Sequence, residues 1–169
     1  MVNRSKAKGD RGEWDAVRYL IELCPDLLVT RPRPMLGAGR KDDVGDLWAF
    51  PDAAVQVKVY KPESISKALY DAARTSVGQA ANAEKPFAVG MVKIHNARPG
   101  TERWLASVLD WPEEVDPVPF KAGTVAAAWA HKHPAPLHAI GRVERAGSPV
   151  IFVAPFGTWV NAYRRVRVA

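Results

Sequence analysis

The chain has 169 residues, of which 47% are hydrophobic and 25% charged, and its formal net charge is +6. This length allows a buried core in one compact domain, and the composition is that of a soluble globule rather than a disordered chain. The single cysteine, Cys24, excludes an internal disulfide and any multi-cysteine zinc site. Membrane spans and secretory signals need long apolar runs that this sequence lacks, so we expect a cytoplasmic protein.

The first part of the chain predicts six elements in the order helix, strand, strand, strand, helix, strand. A helix over residues 11–24 has Asp10 as its N-cap and ends at Pro25. Apolar patterning predicts four further elements: strands over residues 27–33, 46–50 and 54–60, and a long helix over residues 64–83. Residues 87–94 are almost continuously apolar, as in a strand covered on both faces. The order of these elements predicts an α/β fold, a mixed central β-sheet flanked by helices.

The remaining residues have a less regular pattern. Residues 103–109 fit a strand or a helix, residues 124–131 fit a short helix, and strands are predicted over residues 137–145, 150–154 and 158–163. Prolines at 112, 117 and 119 mark a junction. We therefore divide the chain into a core, residues 1–109, and a C-terminal β-rich extension, residues 110–169, which is either an appendage or a continuation of the main sheet.

The first predicted helix contains a tryptophan, Trp14, and an acidic residue at an unexpected position, Glu13. The second predicted strand contains another tryptophan, Trp48. Trp14 and Trp48 are expected to pack in the core. Glu13 lies in helical register with Val17 and Leu20, on the stripe that the helix should bury. Two interpretations of Glu13 remain open. It caps backbone N–H groups at the start of the helix, or it is a functional carboxylate.

Residues 45–58 contain the pattern that is most informative about function. If residues 51–53 form the turn of a hairpin, Trp48 pairs with Gln56, and Asp46 pairs with Lys58 on the same face. An acid, an amide oxygen and an ammonium group then meet at one end of a sheet. The alternative is a surface ion pair between Asp46 and Lys58 beside an incidental glutamine.

These residue types suit the hydrolysis of a phosphodiester bond. Glu13, Asp46 and the Gln56 carbonyl offer the hard oxygen ligands that Mg²⁺ or Mn²⁺ prefers, and such a cation lowers the pKa of a bound water. Lys58 would orient that water or stabilise the developing anion. The positive net charge fits a polyanionic partner. The candidates for phosphate contacts are Arg31, Arg33, Arg40, Lys41 and Lys61.

The pattern resembles the PD-(D/E)xK nuclease superfamily, and most closely its archaeal- and phage-type Holliday junction resolvases. The resemblance covers residues 8–95 and is carried by Gly9-Asp10-Arg11-Gly12-Glu13, the Arg31/Arg33 strand, the loop at residues 37–45, Asp46-Leu47-Trp48-Ala49 and Gln56-Val57-Lys58. It implies a restriction-endonuclease-like core, metal binding by Glu13 and Asp46, a catalytic Lys58, and a homodimer in the cytoplasm of a bacterial or phage-infected host cell. Two positions depart from the pattern. Gly45 stands where the superfamily has its proline, and Gln56 replaces the second acidic residue, which removes one negative charge.

We therefore expect a Mg²⁺- or Mn²⁺-dependent DNA endonuclease that resolves Holliday junctions or other branched DNA. Three alternatives remain open. The first is a nuclease of the same superfamily with another DNA substrate, of restriction, repair or exonuclease type. The second is a DNA-binding module without catalytic activity, which Gln56 favours. The third is a basic structural protein, which the shared face of Asp46 and Lys58 disfavours.

Overall fold

The fold is built from helices on both faces of a β-sheet. The computed structural model describes residues 4–35, 42–94, 104–133 and 139–168. The α-helices of these ranges are α1 (Arg4–Leu23), α2 (Ile65–Asn82), α3 (Gly123–His131) and α4 (Phe156–Val168). The strands are β1 (Arg33–Pro34), β2 (Leu47–Trp48), β3 (Ala53–Tyr60), β4 (Phe87–Ile94), β5 (Trp104–Val108), β6 (Val118–Phe120), β7 (Gly141–Val143) and β8 (Ile151–Pro155).

The main sheet has six strands in the order β3-β4-β5-β8-β7-β6. β3 pairs with β4 and β6 pairs with β7 in parallel, whereas the other neighbouring strands are antiparallel. Helix α2 connects β3 to β4, because parallel neighbours need a crossover. β1 and β2 form a separate antiparallel pair. The predicted α/β fold with a mixed sheet flanked by helices is confirmed.

The core consists of two apolar clusters, one on each face of the main sheet. Met91 belongs to one cluster and its neighbour Val92 to the other, as expected because successive strand residues point to opposite faces. On one face α1 and α4 contribute Ala16, Val17, Leu20, Phe156, Trp159, Val160 and Tyr163. On the opposite face α2 and α3 contribute Ile65, Ala68, Leu69, Ala72, Ala73, Ala126, Ala127 and Ala130.

Helix α4 corrects the prediction of a strand over residues 158–163. Its large buried apolar and aromatic residues Phe156, Trp159, Val160 and Tyr163 are separated by three, one and three positions, which is helical spacing. Trp159 and Tyr163 stack with their ring centroids 5.0 Å apart. Aromatic and β-branched residues favour strands in isolation. Packing of this stripe against the sheet overrides that preference.

The C-terminal strands continue the main sheet. β5 precedes the predicted junction at residue 110, and it pairs with β8, which follows that junction. The segment that fitted a strand or a helix is therefore a strand, Trp104–Val108, and the strand predicted over residues 137–145 is limited to Gly141–Val143 among the described residues. The predicted helix at residues 124–131 and the predicted strand at residues 150–154 are confirmed within one residue at each end.

The N-terminal elements differ more from their predictions. Helix α1 begins at Arg4, so Asp10 lies inside the helix and is not its N-cap. A 3-10 helix at Pro25–Leu27 and the short strand Arg33–Pro34 replace the strand predicted over residues 27–33. The predictions for residues 64–83 and 87–94 are confirmed by α2 and β4. No helix in the described part of the chain is long and apolar enough to cross a membrane.

The expectation that Trp14 and Trp48 pack in the core is wrong. Trp14 is 47% exposed and Trp48 is 38% exposed. Helix α1 buries Ala16, Val17 and Leu20 instead, so Trp14 lies beside the buried stripe rather than on it. The amine of Lys85 lies 5.0 Å from the centre of the Trp48 ring, an arrangement that partly covers this aromatic with a cation.

Candidate functional site

The predicted hairpin between the segments around Asp46 and Lys58 is wrong. β2 pairs with β1, with Leu47 opposite Pro34, whereas β3 pairs with β4. β3 is an edge strand of the six-stranded sheet. Asp46 approaches this edge through a hydrogen bond of 2.8 Å from its own N–H to the Val55 carbonyl. Asp46 therefore lies opposite residues 55–57 rather than opposite Lys58.

The Asp46 carboxylate is held by donors of β3. Its Oδ2 atom accepts hydrogen bonds from the Val57 backbone N–H at 2.8 Å and from Gln56 Nε2 at 2.6 Å. The Asp46 carbonyl accepts a third bond, 2.7 Å long, from the Met35 N–H. An edge strand presents unpaired N–H groups, and here a side-chain oxygen satisfies one of them. The result is a carboxylate with a defined position at the sheet edge.

Gly45 explains one departure from the superfamily pattern. Its φ angle is +116°, in the region that L residues rarely adopt. Proline requires a φ near −65°, so the proline that the superfamily has at this position does not fit this backbone. A β-carbon at residue 45 would also lie 3.3 Å from the Val55 carbonyl oxygen. The glycine lets the chain turn tightly into Asp46.

Glu13 faces the same place from α1. It lies well inside the helix, which begins at Arg4, so the interpretation as a capping residue is wrong. Burial is the main cause that raises the pKa of Glu13 from 4.5 to about 7, followed by the negative charges of Asp46 and Asp10. Glu13 and Val57 line the same cavity, and the Val57 N–H donates to Asp46 Oδ2, so both acids lie beside the same part of β3. Helix and sheet edge thus bring together two acids that are distant in sequence.

Lys58 borders the cavity that Glu13 also lines. The cavity has a volume of about 370 Å³, and its other walls include Lys8 and Tyr60. Burial raises the pKa of Asp46, and it outweighs the hydrogen bond from the Val57 N–H and the positive charge of Lys58, which both lower this pKa. Glu13 and Lys58 thus line one cavity, and Lys58 influences the charge of Asp46, but these residues are not arranged on a hairpin and their joint role stays a prediction.

Gln56 belongs to a pair of buried amides, and the sequence analysis missed the second amide, that of Gln79. Gln56 on β3 and Gln79 on α2 are 5% and 2% exposed, and Gln79 Nε2 donates a hydrogen bond to Gln56 Oε1. Gln79 Nε2 also donates to Asp43 Oδ1 at 2.9 Å. The available signal was a glutamine on the mostly apolar stripe of α2, in register with Ala72 and Ser76, the same kind of signal that singled out Glu13.

The site suits a divalent cation in part. Two neighbouring carboxylates, with a raised pKa on each, are a favourable environment for a positive ion, and Mg²⁺ takes such oxygens together with water. The Gln56 carbonyl oxygen faces Gln79, so ligation by Gln56 would require its amide to turn. Within the described ranges, no group of three or more His, Cys, Asp or Glu residues is placed to hold a metal ion. Glu13 and Asp46 are the residues that could hold one.

The predicted phosphate contacts are distributed outside this group. Arg31, Arg33 and Lys61 are exposed, and Arg33 Nη1 donates to the Arg31 carbonyl at 3.5 Å. Arg40 and Lys41 lie outside the described residues. The exposed cations are therefore available to an external partner, and their role stays a prediction.

Comparisons with models of protein families, with curated proteins and with solved structures found no match to this chain. The chemistry of the site therefore has to be inferred from its own residues. These are two carboxylates with raised pKa values, a lysine at a small cavity, and a pair of buried amides that contacts one of the carboxylates.

Proposed function

We propose that this chain is a metal-dependent DNA endonuclease that hydrolyses phosphodiester bonds, with Holliday junctions or other branched DNA as its substrate. The observation that supports it most is the convergence of Glu13, Asp46 and Lys58 at one edge of the sheet from three separate segments. Acidic ligands beside a lysine suit a reaction in which negative charge builds up on a phosphate.

Glu13 and Asp46 would hold Mg²⁺ or Mn²⁺ in this proposal. Such an ion, when bound, supplies Lewis-acid stabilisation of the phosphate and a lowered pKa of water. Both described hydrogen bonds to the Asp46 carboxylate use Oδ2, so Oδ1 would be the oxygen that contacts such an ion. Gln56 remains a candidate third ligand through its carbonyl oxygen, which requires its amide to rotate away from Gln79.

Lys58 would act on the scissile phosphate. Lys58 lines the cavity, and its positive charge acts on the Asp46 carboxylate. A cation that is already in position stabilises the developing charge on a phosphate oxygen without reorganisation during the reaction. Loss of one such group costs about 10²–10³-fold in rate in enzymes that depend on it.

DNA binding would come from the exposed basic residues. Arg31, Arg33 and Lys61, with Arg40 and Lys41, would contact backbone phosphates, and affinity should fall steeply with salt because bound counterions are released.

Resolution of a four-way junction takes two symmetric cuts. We therefore propose a homodimer with two-fold symmetry as the active form, which sedimentation of the protein alone and on a junction would test.

A cleavage assay tests this function. Labelled four-way junction, matched duplex and single strand are incubated with the protein, with and without Mg²⁺ or Mn²⁺. We expect metal-dependent cutting of the junction, and a loss of about 10²-fold or more for Asp46→Asn and Lys58→Ala with DNA binding retained. Asp71→Asn and Lys67→Ala, which remove the partners of a surface ion pair on α2, are charge-matched controls that should cut normally.

The outcomes of this assay separate the candidate substrates. Preferred cutting of duplex or single strand would assign the activity to another substrate class. Cutting by Asp46→Asn at the wild-type rate would contradict the site. If no DNA is cut under any metal condition, the endonuclease proposal is wrong.

A DNA-binding module without catalytic activity is the second candidate. The observation that favours it is the Gln56 amide, which donates its N–H to Asp46 Oδ2 where an acidic residue would add a metal ligand. In that case the protein binds the junction but does not cut it. This candidate function does not require that Gln56→Glu restores cleavage. Cutting by wild type rejects this candidate.

A further inference from the structure

Gln56 and Gln79 are the two glutamines of the whole chain, and both are buried. A buried amide without hydrogen-bond partners is costly, so each must be matched by groups around it. Their partners come from different elements. Gln56 lies on β3 and Gln79 lies on α2, which packs on the face of the sheet that Gln56 points to.

The contact between the two amides has a direction. Gln79 Nε2 donates to Gln56 Oε1, so the Gln56 oxygen faces α2. The oxygen and nitrogen of an amide point to opposite sides of one planar group. The Gln56 nitrogen is therefore turned away from α2, and it donates to Asp46 Oδ2 at 2.6 Å.

Gln79 also contacts the segment that leads into Asp46. Its Nε2 donates to Asp43 Oδ1 at 2.9 Å, and Asn82, one turn further along α2, donates to the Asp43 carbonyl at 2.8 Å. Gln79 keeps this orientation although its own Oε1 has no hydrogen-bond partner among the described residues. If its amide were turned over, that oxygen would face the oxygens of Gln56 and Asp43. The two acceptors thus determine its orientation.

We propose that Gln79 is a positioning residue that sets the orientation of the Gln56 amide and so holds the Asp46 carboxylate in place. The same side chain ties the approach segment at Asp43 to the strand that anchors Asp46. The positioning role of Gln79 is independent of the proposed function, and only the effect of Gln79 on DNA cleavage rests on that function. With Gln79 removed, Asp46 loses part of its support and the rate of junction cutting should fall, while the exposed cations that bind DNA are unchanged.

Nuclear magnetic resonance on protein labelled with ¹⁵N at the glutamine side chains tests the inference directly. Wild type should give two NH₂ signal pairs, and Gln79→Met should give one, that of Gln56. We expect this Gln56 pair to shift and to exchange with solvent about tenfold faster than in wild type, since its orientation is no longer fixed by a donor. Ser76→Ala is the matched control. Ser76 is fully buried on the same helix, and its hydroxyl bonds the Ala73 carbonyl at 3.0 Å, so both glutamine pairs should stay unchanged.

Gln79→Glu is a second variant in case Gln79→Met does not fold. It keeps the length of the side chain but only accepts hydrogen bonds when ionised, so Gln56 must turn its NH₂ group towards α2 and its signals must again shift. If the Gln56 pair keeps its wild-type shifts and exchange rate in either folded variant, Gln79 is not a positioning residue. The spectra are recorded without metal or DNA. A failure to cut DNA therefore rejects the endonuclease and not the positioning role, whereas unchanged spectra reject the positioning role alone.

Discussion

Gly12 of α1 packs so closely on Val59 of β3 that a β-carbon added to Gly12 would lie 2.7 Å from Val59 Cγ2. This contact brings α1 onto the sheet at the residue that directly precedes Glu13. Since Val59 lies on the same strand as Lys58, the approach at Gly12 also determines how near Glu13 comes to the lysine and to the cavity that both line.

Replacement of Gly12 by alanine is expected to destabilise the protein by about 1–3 kcal/mol, because an extra methyl group in a close contact forces the helix or the valine to move. Gly9→Ala is the control in the same helix. A β-carbon at Gly9 would meet nothing within 4 Å, and alanine is the better helix former by about 1 kcal/mol, so this variant should be neutral or more stable. Urea unfolding measures both. Equal stability of the two variants would show that Gly12 is not needed for the close approach.

The raised pKa of Glu13 predicts a pH-dependent cost to stability. The carboxyl has a pKa of about 7 in the folded protein and 4.5 as its usual value, so the folded state favours the protonated form. The loss of stability that the ionised Glu13 causes is absent below pH 4.5, grows as the pH rises towards 7, and persists above pH 7. Glu13→Gln removes the penalty. The free energy of unfolding of this variant, relative to wild type, should therefore be higher at pH 8 than at pH 4, and a constant difference across this range would contradict the assignment.

Exchange of Gln56 for glutamate tests whether the side chain at residue 56 acts as a metal ligand. A carboxylate at residue 56 would replace an N–H donor by an acceptor beside Asp46 Oδ2, which should destabilise the metal-free protein by about 1–3 kcal/mol. A divalent cation would relieve the repulsion, so Mg²⁺ should raise the Tm of Gln56→Glu more than that of wild type. In the cleavage assay, Gln56→Glu should lower and Gln56→Ala should raise the Mg²⁺ concentration for half-maximal cutting. Coinciding metal titrations for all three proteins would exclude Gln56 as a ligand.

Cys24 should be chemically inert in the folded protein. Its side chain is fully buried, and burial raises the pKa of its thiol from 9.0 to about 12, so little of the reactive thiolate is present at neutral pH. Iodoacetamide at pH 8 should label the protein in urea but not in buffer. The raised pKa also means that its contribution to stability is complete below pH 9 and declines as the pH rises above that value. Rapid labelling of the folded protein would contradict the burial of Cys24.

Local patterning determined several parts of this protein. The periodic apolar residues of α2 and the continuous apolar run of β4 predicted both elements almost to the residue, because each pattern spans enough positions to distinguish a helix from a strand. The misplaced Glu13 was also visible, since a carboxylate on a buried stripe needs an explanation. Its assignment to one site with Asp46 and Lys58 stays a prediction from residue type and spacing, and the hairpin assumed for Asp46 and Lys58 was wrong.

Tertiary structure decided how these residues meet. A strand pattern does not identify the partner of the strand, and β3 pairs with β4 across the crossover through α2 rather than with the segment just before it. Asp46 is consequently bound to an open sheet edge, and Gln79 reaches Gln56 from a helix that only the fold brings alongside. The helix α4 likewise depends on burying Trp159 and Tyr163 against the sheet. Spacing along the chain specifies which face of an element is apolar, but the partner of that face is set by contacts between residues distant in sequence.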